Sequence, residues 1–267
     1  MQANLNHESF SPRARDLLNR VPEVTLVFWI IKILSTTVGE TAADFLSVTL
    51  NLGLTLTSVV MAALLAVALV NQFRLRRYVP AGYWTVVVLI SIVGTLITDN
   101  LTDNLGISLV TTTSLFAIAL VAVLSIWYAS ERTLAMKSID TPRREAFYWA
   151  AILCTFALGT AAGDLLSEGT GLGYGTSLMV FAGLLAMVFI AHFGFRLNPV
   201  IAFWVAYVLT RPLGAAAGDY LSQPTADGGL GLGTVFTSVL FLIVIVSMVT
   251  WLSVQQDRTQ TRLPATQ

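Results

Sequence analysis

From about residue 24 to residue 254, long apolar runs alternate with short polar breaks. A membrane-crossing helix needs roughly 20 mostly apolar residues. Eight runs reach or approach that length: 24–45, 52–71, 81–101, 107–128, 146–166, 174–193, 200–221 and 232–254. No break is long enough to hold a separate soluble domain. The pattern predicts an all-α polytopic membrane protein. Its membrane domain covers 22–254, between polar tails at 1–21 and 255–267.

A second pattern runs through the first. From Trp29, Gly39 lies 10 residues on, Asp44 15 on and Leu46 17 on. Trp84 leads in the same way to Gly94, Asp99 and Leu101. Trp149 leads to Gly159, Asp164 and Leu166, and Trp204 to Gly214, Asp219 and Leu221. An aromatic residue precedes each tryptophan (Phe28, Tyr83, Tyr148, Phe203), and a proline stands upstream (Pro22, Pro80, Pro142, Pro199). Glycine followed by hydroxyls opens each even-numbered run, at Gly53, Gly106, Gly173 and Gly233. The unit is therefore a helical hairpin repeated four times, at about 22–73, 80–128, 142–193 and 199–254.

These residues carry a resemblance. The tryptophan and the glycine–aspartate segments "GTAAGDLL" and "GAAAGDYL" resemble those of bacterial integral membrane proteins built from four tandem two-helix repeats of unknown function. The resemblance covers Val21 to Trp251 and implies the architecture, not a chemistry. The first two copies depart from it, with Ala43–Asp44 and Thr98–Asp99 in place of glycine–aspartate.

Each hairpin enters and leaves on one side, so the four share an orientation. Any pseudo-symmetry axis must then lie along the membrane normal. The units could form a ring or a pair of pairs. Charge sets the direction. Arg13, Arg15, Arg20, Arg74, Arg76, Arg77, Arg132, Lys137, Arg143, Arg144, Arg196, Arg258 and Arg262 fall on the side of the termini, 13 of 15 basic residues. The four opposite loops hold none. The positive-inside rule puts both termini in the cytoplasm and the protein in the cytoplasmic (inner) membrane.

Composition agrees. Hydrophobic residues make up 55% of the 267 and charged residues 11%, against about 25% charged in soluble domains. A net charge of zero gives no field for nucleic acid. The first 20 residues lack the apolar core of a removable signal peptide. Cys154 is the lone cysteine, and neither His7 nor His192 has a metal-ligand partner at helical spacing. No phosphate loop, nucleotide fingerprint or nucleophile elbow appears, so neither an enzyme nor a cofactor is expected.

The tryptophans, near the cytoplasmic helix ends, suit an interfacial aromatic belt. The glycines suit close helix packing. The aspartates lie about 22 Å further along the axis, where a carboxylate is costly. They are open to two readings. They could tie neighbouring helices through hydroxyls such as Thr57, Ser58, Thr176, Ser177, Thr237 and Ser238, or bind a cation or proton. Positions 3, 7, 11, 14 and 15 after each tryptophan share a helix face. That face carries Lys32, Thr36, Glu40 and Asp44; Ser91, Thr95, Thr98 and Asp99; Thr160 and Asp164; Arg211 and Asp219. The four faces are expected to line a central polar cavity.

Asp44, Asp99, Asp164, Asp219 and Glu40 are thus the candidate cation or proton ligands. The four aspartates are also candidate ligands of a hard metal cation, since oxygen donors suit hard ions. Lys32 and Arg211 are candidates for gating or ion pairing, Arg211 with Glu40 or an aspartate. Thr36, Ser91, Thr95, Thr98 and Thr160 would supply supporting polar atoms. The leading expectation is a cation- or proton-coupled transporter whose partners are lipid and a small cation. A cation channel, or a scaffold or sensor with structural aspartates, are the alternatives. The oligomeric state is not readable from this pattern.

Overall fold

The computed structural model describes residues 19–261. Among them, eight helices are long and apolar enough to cross a membrane. In chain order they are α1 (Leu26–Asp44), α2 (Leu54–Arg74), α3 (Pro80–Asp99), α4 (Leu109–Glu131), α5 (Pro142–Asp164), α6 (Tyr174–Phe195), α7 (Pro199–Ser222) and α8 (Thr234–Thr261). No strand occurs among the described residues. In lipid every backbone polar group must be satisfied within the chain, which selects helices.

Local sequence starts each one. Pro80, Pro142 and Pro199 occupy the first turns of α3, α5 and α7, where a missing N–H costs nothing. Thr25, Thr141 and Asn198 accept a first-turn N–H at α1, α5 and α7. Thr141 and Pro142 begin α5 earlier than its apolar run does. α8 continues to Thr261, into the stretch expected to be a polar tail.

Packing separates two classes of helix. α1, α3, α5 and α7 form a closed inner ring, each touching the next and α7 returning to α1. The others stand outside it: α2 packs on α3, α4 on α5, α6 on α7 and α8 on α1. The second helix of each hairpin therefore leans on the first helix of the next hairpin, and the last closes on the first. The units form a ring rather than a pair of pairs. The outer helices are mostly unburied and apolar all round, as a lipid-facing surface should be.

The repeated glycines make the ring close. A Cβ on Gly39 would collide with Ser91 Oγ, one on Gly159 with Arg211 Cγ, and one on Gly214 with Thr36 Oγ1. One on Gly94 would lie 2.7 Å from Phe156 Cβ. Each is the position 10 residues after a tryptophan, meeting the position 7 residues after the next tryptophan in the ring. A second set of glycines serves the backbone. Gly53 and Gly173 sit just before α2 and α6 at φ +73° and +76°, where an added methyl would meet nothing within 4 Å.

The repeated aromatic–tryptophan pairs do not form a lipid-facing belt. Phe28, Tyr83, Trp84, Tyr148, Trp149, Phe203 and Trp204 are buried, and only Trp29 is partly exposed. They stack across the ring: Phe28 on Trp84 and Phe203, Tyr83 on Tyr148, Tyr148 on Trp204. The hydroxyls of Tyr83 and Tyr148 are 2.5 Å apart. Helix height is the same in both arrangements; what differs is that the tryptophans belong to the inner ring. The layer fills the ring at the end carrying the termini.

At that end Arg20 is also not part of a free tail. Its guanidinium is 2.7 Å from Glu145, a fully buried carboxylate in the first turns of α5. Glu145 also accepts from Gln72 Nε2 at 3.0 Å and from Trp149 Nε1 at 3.3 Å. Arg13, Arg15 and Arg262 lie outside the described residues.

At the opposite end, α1, α3 and α5 each pass from their aspartate directly into a π-helical turn: Phe45–Thr49, Asn100–Asn104 and Leu165–Gly169. α7 instead runs on past Asp219 to Ser222, and Pro224 lies just beyond its end.

Candidate cation site

The inner faces meet in layers. Three residues after each tryptophan stand Lys32, Val87, Ile152 and Tyr207; seven after stand Thr36, Ser91, Phe156 and Arg211; eleven after stand Glu40, Thr95, Thr160 and Ala215. All twelve are buried. The repeat is therefore symmetric in position and asymmetric in chemistry. Charge enters at Lys32, Arg211 and Glu40 alone in these layers.

Arg211 marks the axis, because its guanidinium on α7 reaches all three other inner helices. It donates to Thr36 O on α1 at 3.3 Å, to Glu40 Oε2 on α1 at 2.9 Å, to Thr160 Oγ1 on α5 at 2.7 Å and to Thr95 Oγ1 on α3. Thr95 Oγ1 also donates to Glu40 Oε2 at 3.3 Å. The Nε of Arg211 is buried without an acceptor. The neighbouring Pro212 lies inside α7; it lacks an N–H and so leaves a gap in the backbone ladder.

One layer toward the termini, Lys32 is fully buried and has no carboxylate partner among the described residues. It donates to Tyr207 O at 2.9 Å and Thr210 Oγ1 at 2.5 Å. Its ammonium lies 4.3 Å from the Tyr207 ring centroid and 5.1 Å from that of Phe156. The Arg211 guanidinium is 5.7 Å from the same Phe156 centroid. One aromatic ring therefore serves both buried cations, which suits cation–π attraction.

Toward the other end, one carboxylate oxygen each from Glu40, Asp164 and Asp219 lies within 4.8 Å of the others. Asp44 and Asp99 stand outside this group. Asp44 accepts from Gln223 Nε2 at 3.4 Å, a residue following α7. Among the described residues nothing donates a hydrogen bond to the carboxylates of Asp99, Asp164 or Asp219. None of the hydroxyls expected to tie them does so: Thr57 bonds to Gly53 O, Ser58 with Asn100 Nδ2, Thr237 to Gly233 O and Ser238 with Thr41 Oγ1, while Ser177 Oγ is buried without a partner and Thr176 makes no bond to an aspartate. Thr98 joins α3 to α5 through Ala157 O at 3.1 Å, and Ser91 packs under Gly39 with its Oγ unbonded.

Sequence reasoning did not single out Phe156, Tyr207 and Thr210 as the surroundings of Lys32. Their signal was present, since Phe156 and Tyr207 lie on the predicted inner face. Gln223 carried no signal, because it enters through a loop.

The repeat profile Repeat of Unknown Function (DUF347) matches four segments, 27–78, 82–133, 147–197 and 202–257. The chain belongs to the DUF347 family. Each matched segment starts two residues before its tryptophan and covers most of one inner helix and of the outer helix that follows it. Searches of curated proteins and of solved structures return no match. Among this chain's four copies of the repeat, Lys32, Glu40 and Arg211 each stand at an inner-face position that carries no charge in the other three.

Proposed function

We propose that this DUF347 protein is a membrane transporter that carries or is driven by a small cation or a proton. The ligands are the carboxylates of Glu40, Asp164 and Asp219, with Asp44 and Asp99 beside them. The supporting observation is a mismatch of charge. Beside three clustered carboxylates stands one guanidinium, which pairs with Glu40 alone, and the other two have no donor among the described residues. Asp219 is buried and Asp164 partly so, and carboxylates withdrawn from water without partners are disfavoured. Protons or cations are what would relieve them.

The arrangement also favours alternating access over a standing pore. The carboxylates lie toward the end opposite the termini. Arg211, Phe156 and the tyrosine–tryptophan layer fill the ring below them. A cation entering from the acidic end meets two fixed positive charges before that layer. With the basic loops on the cytoplasmic side, the acidic end faces outward. The reading involves no catalytic step.

The test is flux. Purified protein in liposomes is given a proton gradient, then gradients of Na⁺, Mg²⁺, Mn²⁺ or Ca²⁺, beside Asp164→Asn and Asp219→Asn. Flux in the wild type that falls in both variants is expected. No movement of protons or of any of these ions would refute the transporter reading.

A further inference from the structure

We propose that Glu40, Asp164 and Asp219 form a divalent-cation site in which Arg211 is a tethered competitor, holding Glu40 while the site is empty and releasing it when the ion loads. This rests on the reading of the site as cation-binding and names the ion class and the gate.

Distance comes first. The three oxygens lie within 4.8 Å of one another. An ion held at about 2.0–2.6 Å from each of three ligand oxygens keeps them up to about 3.5–4.5 Å from one another. One hard divalent ion therefore fits among them with little movement. Charge comes second. Glu40, Asp164 and Asp219 against Arg211 leave an excess of two negative charges, which one divalent ion balances. A monovalent ion would leave one charge uncompensated.

Two further observations point to a ligand. Asp219 is more than nine-tenths buried and accepts no hydrogen bond from the described residues, yet its carboxylate belongs to the cluster. Such a group is costly unless something positive joins it. The guanidinium beside it is incompletely used: one terminal nitrogen carries three contacts, while the buried Nε carries none. Arg211 is thus a cation already at the edge of the cluster, engaging one of its three carboxylates. An incoming ion needs that same carboxylate. When Glu40 leaves, Thr36 O, Thr95 and Thr160 still hold the guanidinium in the ring.

Competition has a sign that a structural role lacks. If Arg211 only props up the site, its loss weakens ion binding. If it competes, its loss tightens binding. Mn²⁺ binding to the full chain in detergent, followed by electron paramagnetic resonance, reads this directly. One Mn²⁺ per chain is expected, with Asp219→Asn weakening it and Arg211→Gln tightening it, each by about tenfold or more, or about 1.4 kcal/mol. A folded Arg211→Gln protein that binds Mn²⁺ equally or less tightly overturns the proposal, as does a wild type that binds none.

A measurement on the wild type covers the case in which Arg211→Gln does not fold. With isotope-labelled arginine, infrared difference spectra should show a guanidinium band shift on adding Mn²⁺, absent in Glu40→Gln. No shift at saturation overturns the proposal. Proton flux without Mn²⁺ binding sinks this inference alone. Mn²⁺ binding with the expected variants and no flux sinks only the transporter reading.

Discussion

Arg211 of the fourth repeat and Glu40 of the first meet at 2.9 Å, with 0% and 8% of their side chains exposed. This pair crosses the seam where the last unit closes on the first. Removing one partner of a buried pair costs about 3–5 kcal/mol, whereas removing both can be nearly neutral. Glu40→Gln and Arg211→Gln should each lower the unfolding temperature in detergent containing a chelator. The double variant should recover most of the loss. Additive losses would mean that the two residues act independently.

The glycines separate into groups with different costs. At Gly39 and Gly214 an added methyl collides with a neighbouring inner helix, with backbone close behind the hydroxyl it meets. Alanine there should cost about 1–3 kcal/mol through overpacking. At Gly173 space is free, but φ +76° with ψ 163° is a region that only glycine tolerates. Alanine there should cost a similar 1–3 kcal/mol or so through backbone strain. Gly183, mid-helix on α6 with nothing within 4 Å, is the control. Alanine at that site should be neutral or stabilising by about 0.5–1 kcal/mol. Thermal unfolding of Gly39→Ala, Gly173→Ala and Gly183→Ala tests the ranking.

The direction of the chain in the membrane rests on charge alone and is directly measurable. A fluorescent-protein fusion at the C-terminus should fluoresce, and an alkaline phosphatase fusion there should be inactive. A phosphatase fused after Gly171, in the loop following α5, should be active. The opposite result would place the carboxylates of Asp164 and Asp219 toward the cytoplasm and reverse the sense of loading.

Much of this architecture was legible because two periods coincide. Apolar length set the spans, and the tryptophan spacing set the hairpins. Helical geometry then put Lys32, Glu40 and Arg211 on one face, and the ring brings those faces together. The partner of Arg211 was legible only as a choice among acids, because sequence gives height along a helix and not rotation about the ring. The same limit misassigned the tryptophans. Height near a helix end fits both a lipid belt and an inner plug. What distinguishes them is that α2, α4, α6 and α8 are more apolar than the helices bearing the tryptophans. The π-helical turns after Asp44, Asp99 and Asp164 left no mark in the apolar pattern. Nor did the pairing of Arg20 with Glu145, which depends on where the first described residues cross the ring.

That last contact gives a prediction at the end carrying the termini. Glu145 is fully buried, while Arg20 retains slight exposure. Arg20→Ala therefore strands a carboxylate with only Gln72 and Trp149 as donors. Glu145→Gln strands a guanidinium that can still reach water. Arg20→Ala should be the more damaging, within the range of about 3–5 kcal/mol for a broken buried pair. The backbone N–H of Arg20 also donates to Ile139 O at 2.9 Å, so the segment that the Arg20 side chain anchors pins the 132–141 linker. Lys137 is already exposed on that linker, so releasing the contact should loosen the backbone around it and speed trypsin cleavage there. Cleavage that follows the open population rises about tenfold for each 1.4 kcal/mol of lost local stability. Cutting at Lys137 should accelerate most in Arg20→Ala, less in Glu145→Gln, and not at all in Glu40→Gln, whose damage lies at the other end of the ring. Equal acceleration in all three would mean that the linker opens only with global unfolding.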